Sequence, residues 1–296
     1  MRIIKIEIPL KFEVSSINSY LIDEEPLTLI DPGPFSGYHI KFLEKALNNY
    51  GKKFSDIKRI LLTHGHTDHG GIAGYFQKKF NTEIYIHEFD EEKITKSSKE
   101  KLEKRKKFFA PLLKKDGFPD EVIEFLINFV GDFYKYVFKA KEINIIEDES
   151  IIGFNNFKLK VLHTPGHTAG HVVFIKDESI IFSGDVLLKD IFVTPLLEFD
   201  ECGNRRKNLL SLISTFKKLK NFFNFKWYVA HGSDDFDKKK RIKEIEKKIF
   251  EYIKRVRENF NPKLSVYENF KKFYPDIDRE KLLFYISMYY GAIDFI

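Results

Sequence analysis

Residues 63–69 read Thr-His-Gly-His-Thr-Asp-His, and this stretch decides the fold of the chain. Three imidazoles and one carboxylate lie within six positions, directly after an apolar run at 60–62 and before Gly70 and Gly71. Such an order is typical of a strand that ends in a loop and leads into a helix. A loop at a strand end can direct several side chains toward one point. Since an apolar core has no use for so many imidazoles, the stretch predicts a metal site.

Seven of the nine histidines fall in three short motifs. The second motif, LHTPGHTAGH at 162–171, follows a predicted strand, and a single histidine follows another strand in VAHG at 229–232. A carboxylate also follows a strand in FSGD at 182–185. Because strand ends at one edge of a layered α/β protein bring their side chains together, the four motifs predict one site. Its number of ligand-type residues indicates two metals.

The composition is that of a globular chain, with 43% hydrophobic and 32% charged residues among 296. Cys202 is the only cysteine, which excludes an internal disulfide and fits a reducing compartment. The N-terminus alternates charged and apolar residues like a strand, and no apolar run approaches the roughly 20 residues of a membrane span. We therefore expect a cytoplasmic protein that has no membrane partner.

The formal net charge of +6 raises the question of an anionic partner. The lysines are spread over most predicted helices, usually beside glutamates, which is typical of solvated helix faces. An anionic substrate or a nucleic acid is the alternative, which this pattern disfavours.

Strands and helices alternate along most of residues 1–235, which predicts one layered α/β catalytic domain. Residues 89–140 interrupt the alternation with helical patterns, including an apolar stripe from Val122 to Val137. We interpret them as a helical insertion that packs on the sheets for stability, forms a lid over the metals, or does both. Residues 236–296 show helical patterns only, so we expect a helical C-terminal extension packed on the catalytic domain.

The motifs together resemble the metallo-β-lactamase superfamily, whose H-x-H-x-D-H pattern is followed by a later His, an Asp and a final His. The resemblance covers residues 17–75 and 155–235, with Asp31, TPGHTAGH and SGD in the expected order. It implies a four-layer αββα sandwich with a two-metal hydrolase site.

The resemblance also implies a role for each motif residue. The ligands expected for one metal are His64, His66 and His167. The ligands expected for the other metal are Asp68, His69 and His231. Asp185 would bridge both metals, and Asp68 and Asp185 would be the catalytic carboxylates. The residues expected to orient these ligands are Asp31, His163 and His171.

The chemistry of the ligands limits which metal ions are suitable as cofactors. Imidazoles and carboxylates without a thiolate suit Zn²⁺, with Mn²⁺ or Fe²⁺ as alternatives. Two divalent ions about 3.5–4 Å apart can share a hydroxide that is a nucleophile near neutral pH. No serine or cysteine nucleophile is then needed.

The sequence departs from the patterns of several subgroups of this superfamily, and these differences disfavour the reactions of those subgroups. His69 disfavours hydrolysis of β-lactams, and His66 stands where the diiron flavoproteins have Glu. The segment 186–195 lacks the arginine of persulfide dioxygenases. The insertion, the run SGDVLL with Thr194 and Pro195, and the basic C-terminal helix most resemble the glyoxalase II-like and lactonase-like group. That group cleaves thioesters, lactones or other carboxylic esters.

Three functions follow from the sequence, and the first is hydrolysis of an ester-like acyl bond in a small molecule. The alternatives are a phosphodiesterase or nuclease on the same metals and, third, a non-hydrolytic metal or redox protein. Lysines along a groove would favour the nuclease, whereas a closed phenylalanine-lined pocket would favour the esterase. The residues expected to line such a pocket are Phe125, Phe129, Phe133 and Thr194. A homodimer is compatible with the sequence.

Overall fold

A computed structural model of the protein describes residues 2–10, 14–177 and 179–296. Two β-sheets lie face to face in it, and helices cover both outer faces. No helix within the described ranges is both long and apolar enough to cross a membrane.

The first sheet holds six strands in sequence order. Their bounds are β1 Arg2–Pro9, β2 Ser16–Asp23, β3 Thr28–Ile30, β4 Arg59–Leu61, β5 Glu83–His87 and β6 Asn144–Ile146. β1, β2 and β3 pair antiparallel, whereas β3, β4, β5 and β6 pair parallel. Parallel pairing places the carboxyl ends of β3, β4 and β5 at one edge, where Asp31 and the loop of residues 63–69 begin.

The second sheet holds five strands. Their bounds are β7 Ile151–Gly153, β8 Lys158–His163, β9 Val172–Lys176, β10 Ile180–Gly184 and β11 Lys226–Val229. The order across the sheet is β11-β10-β9-β8-β7, and only the pair of β10 with β11 is parallel. The two parallel strands therefore end at one edge, just before Asp185 and His231.

Three layers of hydrophobic side chains separate the four layers of the fold. Between the sheets, Tyr20 and Leu61 of the first sheet pack with Phe174 and Phe182 of the second. Outside the first sheet lie α1 (Gly37–Asn48) and α3 (Ala73–Phe80), and a short turn, α2 (Thr67–Gly70), precedes α3. The order of layers is therefore αββα, as the sequence predicted.

The outer face of the second sheet is covered by helices from the C-terminal part of the chain. Their bounds are α7 Asn208–Leu219, α8 Lys238–Asn259, α9 Val266–Phe273 and α10 Leu282–Ile293. Apolar residues of α8 recur at three- and four-residue steps and pack with Trp227 of β11 in one continuous core. Helices on both sides of residue 235 thus share this core.

Between β5 and β6 the chain forms three helices, which are α4 (Glu91–Thr95), α5 (Ser98–Lys115) and α6 (Asp120–Tyr134). Ser97 caps α5: its side chain accepts from the Glu100 N–H at 3.3 Å, and the Glu100 carboxylate accepts from the Ser97 N–H at 2.7 Å. Phe109 of α5 and Leu126 of α6 are buried in the same core as α8. The hairpin of α5 and α6 is therefore fixed to the body of the protein.

Candidate metal centre

Ligand-type side chains meet where the carboxyl ends of strands from both sheets face each other. The loop after β4 supplies His64 and His66, and α2 supplies Asp68 and His69. The loop between β8 and β9 supplies His167. Asp185 follows β10, and His231 lies two residues beyond β11. The structure thus brings together all seven residues that the sequence singled out as metal ligands.

Three imidazole nitrogens form the first group. His66 Nδ1 lies 2.9 Å from His64 Nε2 and 3.0 Å from His167 Nε2. His167 Nδ1 donates to the backbone oxygen of Thr194 at 3.0 Å, so its Nε2 carries a free lone pair. Burial, reinforced by neighbouring imidazoles, holds the pKa of His64 well below its usual range. Neutral nitrogens that face each other at 3 Å are arranged for a cation.

A second group contains Asp68, His69 and His231. Nε2 of His69 lies 3.3 Å from Nε2 of His231, and Asp68 Oδ2 lies 3.8 and 3.5 Å from these two nitrogens. His69 Nδ1 donates to Asp31 at 3.0 Å, and His231 Nδ1 donates to the Ser16 backbone oxygen at 2.6 Å. The Nδ1 protons are thereby fixed, and each Nε2 is the nitrogen left for an ion.

The pKa of His69 is shifted in the opposite direction to the pKa of His64. Burial works against its protonated form, but the carboxylates of Asp185, Asp31 and Asp68 outweigh burial and raise the pKa well above its usual value. In the metal-free chain a proton therefore sits readily on His69, in the place that a bound cation would take.

Asp185 lies between the two groups. Its Oδ1 is 3.5 Å from His69 Nε2 and 3.4 Å from His231 Nε2, while its Oδ2 is 3.6 Å from His167 Nε2. Oδ1 is buried and has no hydrogen-bond donor among the described residues. Burying a carboxylate oxygen without a hydrogen-bond partner costs free energy, and a cation on either side of Asp185 would remove that cost.

The spacing of the donor atoms fits divalent metals. A tetrahedral ion with bonds of about 2.0 Å has neighbouring ligand atoms about 3.3 Å apart. The nitrogen pairs described above are 2.9–3.3 Å apart. The groups whose donor atoms all lie within 4.8 Å of one another are His64, His66 and His167; His64, His69 and Asp185; and Asp68, His69 and His231. The donor set therefore suits two neighbouring ions that share Asp185.

Two of the three residues expected to orient the ligands, Asp31 and His171, form hydrogen bonds with predicted ligand residues. Asp31 accepts from His69 Nδ1 at 3.0 Å and also from the Thr63 hydroxyl at 2.6 Å. His171 Nε2 accepts from the backbone N–H of Asp185 at 3.1 Å, because its Nδ1 donates to the Thr164 hydroxyl at 2.9 Å. Burial, with His167 nearby, lowers the pKa of His171 to about 3, which preserves this neutral form.

Gly184 shows how closely the elements meet beside Asp185. Its φ is +51°, in the left-handed region, and an added Cβ would lie 2.7 Å from Thr63 and 2.8 Å from His171. No larger residue fits there without moving one of these two side chains. Glycine before Asp185 is thus a packing requirement of the site.

His163 corrects the expectation that it orients a ligand. Its Nε2 donates to the backbone oxygen of Ala169 at 2.8 Å, and its ring stacks on His87 with centroids 4.2 Å apart. Among the described residues it forms no hydrogen bond to any of the seven ligands. The side chain of His163 therefore contacts its own loop, through Ala169, and strand β5, through His87.

Asp90 is a residue of the site that the sequence did not single out. It is fully buried after β5, and its Oδ2 accepts from the backbone N–H of Gly65 at 2.7 Å and from the Thr168 hydroxyl at 2.8 Å. Its Oδ1 accepts from the backbone N–H of Gly170 at 3.1 Å. One carboxylate therefore ties together the two loops that carry His64, His66 and His167.

Lys93 and Glu198 continue the network of charged contacts around Asp90. Lys93 pairs with Asp90 and lies 2.8 Å from Glu198 Oε1, and Glu198 Oε2 accepts from the backbone N–H of Ala169 at 2.8 Å. Burial alone would raise the pKa of Asp90, but Lys93 and the surrounding donors lower it below the usual range. Asp90 is therefore an anion that holds its neighbours by charge-assisted hydrogen bonds.

A cavity of about 390 Å³ adjoins the metal ligands and reaches the helices of the insertion. The ligands that line it are His66, Asp68, His167, Asp185 and His231. Most of the remaining wall is aromatic or aliphatic, and it includes Phe129 and Phe133 of α6. A volume in this range is typical of small-molecule sites.

Phe125 and Thr194 correct the expected lining, because neither belongs to the cavity wall. Phe125 lies one helical turn before Phe129, stacks on its ring at 5.9 Å and lies under the guanidinium of Arg279 at 4.6 Å. Thr194 contributes through its backbone oxygen, which accepts the proton of His167 Nδ1.

Comparisons with known proteins identify the family of the chain. The family model of the metallo-beta-lactamase superfamily matches residues 13–249. The probable metallo-hydrolase YqjP of Bacillus subtilis is 30% identical over 234 residues, which are 78% of this chain and 71% of that protein. The hydroxyacylglutathione hydrolase GloC of Haemophilus influenzae is 30% identical over 168 residues, which are 56% of this chain and 64% of that protein.

Solved structures show the same fold. A metallo-beta-lactamase family protein of Thermus thermophilus superposes with a TM-score of 0.79 at 22% identity, covering 99% of this chain and 93% of that one. The chain belongs to the metallo-beta-lactamase superfamily, and it is a metallo-hydrolase with a His/Asp metal-binding cluster.

Proposed function

We propose that the protein hydrolyses an ester-like acyl bond (a thioester, a lactone or a carboxylic ester) in a small molecule with an apolar body. The observation that carries this proposal is the cavity, because one largely apolar wall adjoins Asp68 and Asp185. Apolar pockets with a few polar groups are typical of small-molecule sites. The name of the Haemophilus influenzae relative, a hydroxyacylglutathione hydrolase, supports an acyl substrate.

The residues of the chain have separate tasks in this proposal. The two histidine groups hold two divalent ions, for which we propose zinc because the donors are imidazoles and carboxylates without a thiolate. Bound divalent ions would polarise the scissile carbonyl and lower the pKa of a water molecule toward neutrality. Asp185 sets the spacing of the two groups, and Asp68 is the other ligand carboxylate within reach of a molecule in the cavity.

A phosphodiesterase is the second candidate, which the positive net charge of +6 favours. The two candidates differ in what they require from the substrate. Burial contributes about 0.8 kcal/mol per CH₂, so the aromatic wall should favour longer acyl chains by a few-fold per methylene. A phosphodiester gains little from that wall and would depend on lysine contacts that salt weakens.

The test is a substrate panel at low and high salt. The panel contains lactones, thioesters and aryl esters of increasing acyl length, together with bis-aryl phosphodiesters. We measure kcat/KM for each substrate with the metal-loaded protein. Values that rise with acyl length and respond weakly to salt are the expected result. Turnover of phosphodiesters alone, falling steeply with salt, would replace this proposal by the second candidate.

A further inference from the structure

The cations of the cavity wall fall into two kinds. Two lysines are neutralised by carboxylates of the protein. These pairs are Lys93 with Asp90 and Glu198, and Lys104 with Glu92. Lys101, Arg105 and Arg206 also line the cavity, but none of them has a carboxylate within 4.0 Å among the described residues. The apolar cavity therefore carries uncompensated positive charge.

Among these cations, Arg105 of α5 has a buried nitrogen, Nη1, that lacks a hydrogen-bond acceptor within the described part of the chain. Its Nε donates to the Tyr134 hydroxyl at 3.3 Å, and its guanidinium lies over the Phe109 ring at 5.0 Å. A buried charged donor without an acceptor is unfavourable, so the arrangement is incomplete without an anion.

Lys101 lies one helical turn before Arg105 and contacts the same tyrosine. Its Nζ is 4.5 Å from the centre of the Tyr134 ring and donates to the backbone oxygen of Lys93 at 2.8 Å. Burial lowers the pKa of Lys101 to about 8, since no protein carboxylate compensates the charge. An anion beside Tyr134 would stabilise Lys101 and Arg105 together.

We propose that the substrate carries an anionic group, a carboxylate or a phosphate, which Arg105 binds with the help of Lys101 while the acyl bond lies at the metal centre. This inference rests on the proposed function. The planar guanidinium presents two parallel donors that match the oxygens of either anion. The substrate class is therefore an ester, thioester or lactone with an apolar body and an acidic group away from the scissile bond.

The metal ligands and Arg105 line one and the same cavity, so a single molecule can make both contacts. One cavity of about 390 Å³ is lined by Asp68, Asp185 and Arg105. Phe108 and Phe133 belong to the same wall and provide apolar surface for the body of the substrate. Positive charge thus lies within a small-molecule pocket, which favours an acidic small molecule over a polynucleotide.

The test uses substrates in pairs that differ only in charge. A hexanoyl ester is compared with the ester that carries a terminal carboxylate and with the one that carries a terminal phosphate. A second series places the same groups at the end of an alkyl thiol leaving group. The metal-loaded protein is compared with Arg105→Met, Arg105→Lys and a control, Lys99→Met, which removes an exposed cation of the same helix.

The natural chain should prefer an anionic substrate in at least one series, by about 10- to 100-fold in kcat/KM. Arg105→Met should lower the ratio of kcat/KM for the anionic ester to kcat/KM for the neutral ester by about tenfold, Arg105→Lys should lower this ratio less, and Lys99→Met should leave it unchanged. The better of the two anions identifies the group. Equal rates for neutral and anionic substrates, or a preference that Arg105→Met leaves undiminished, would overturn the inference.

Calorimetry separates this inference from the proposed function. If no ester is cleaved, the proposed function fails, and binding of adipate, hexyl phosphate and hexanol to the metal-loaded protein then decides. Anion binding to the metals is common to all variants, so only the contribution of Arg105 differs between them. A loss of at least about tenfold for one anion in Arg105→Met, with hexanol unchanged, supports the anion site. Equal affinities in both proteins would refute it.

Discussion

The carboxylate of Asp90 accepts a hydrogen bond of 2.7 Å from the backbone N–H of Gly65, the residue between His64 and His66. The same carboxylate accepts from the N–H of Gly170, which precedes His171 in the other histidine loop. An added Cβ at Gly65 or Gly170 would lie 2.7 Å from the Asp90 backbone, so both loops approach it as closely as glycine allows. One buried anion thus sets the distance between the loops.

Replacing Asp90 by Asn should weaken metal binding although Asp90 is not a ligand. The amide nitrogen of the new asparagine is a donor and would lie opposite other donors, where a carboxylate oxygen of Asp90 now accepts hydrogen bonds. Lys93 would also lose one of its two carboxylate partners. We expect metal affinity to fall by about 10- to 100-fold, as for other residues that orient ligands. Competition with a chelator measures it. The control is Asp132→Asn, an exposed carboxylate that pairs with Lys135; equal affinity in both variants would refute the anchoring role.

Asp185→Ala should remove one metal and most of kcat while the fold persists. Its two oxygens face different groups of nitrogens, so the alanine variant lacks the shared ligand of both sites. Strand β10 keeps its hydrogen bonds with β9 and β11 because these use backbone groups. Elemental analysis and far-UV circular dichroism check the two statements. A variant with two metals and a near-normal rate would show that Asp185 does not bridge.

The seven candidate ligands could be singled out from the sequence because they lie in short motifs that come at or just after the ends of strands. The apolar run at 60–62 predicts a strand before the first histidine motif, and β4 is found there at Arg59–Leu61. The αββα order is likewise confirmed. Local patterns therefore predicted a layered α/β domain and the residues that meet at one edge, whereas the αββα order was implied by the family resemblance.

Contacts between distant segments could not be predicted in the same way. Asp90 acts on residues 25 and 80 positions away, and nothing beside it in the sequence reveals those partners. The apolar stripe of α6 was visible, but which rings face the cavity depends on how the helix is rotated against the sheet.

Phe129 and Phe125 provide a matched test of the cavity wall, since they are neighbours on α6 and only Phe129 lines the cavity. Phe129→Ala should reduce the rise of kcat/KM with acyl length, which apolar contact of about 0.8 kcal/mol per CH₂ produces. Phe125→Ala should leave that dependence intact. The measurement is kcat/KM for esters of increasing acyl length, and equal slopes in the two variants would contradict the assignment.

His87 should make the fold sensitive to mild acid. Burial, with His163 stacked on the ring, lowers the pKa of His87 from 6.5 to about 4. Between these values the unfolded chain binds a proton that the folded chain does not, so the free energy of unfolding falls as the pH falls from 6.5 toward 4. The contribution of one group approaches about 1.4 kcal/mol per pH unit.

The variant His87→Asn should show a shallower pH dependence, because it has no imidazole to titrate. Its side-chain oxygen can still accept the Phe89 N–H, which His87 Nδ1 now accepts at 3.2 Å. Urea unfolding at several pH values measures the difference in slope between the two metal-loaded proteins. Identical slopes would mean that His87 does not carry this effect.

Titration of the metal-free protein with zinc, while the hydrolysis rate of a thioester or lactone is recorded, tests the central claim most directly. Seven ligands in two groups that share Asp185 predict that the rate reaches its plateau at two equivalents of metal per chain. A plateau at one equivalent, or two bound equivalents without hydrolysis of any ester-like substrate, would contradict it.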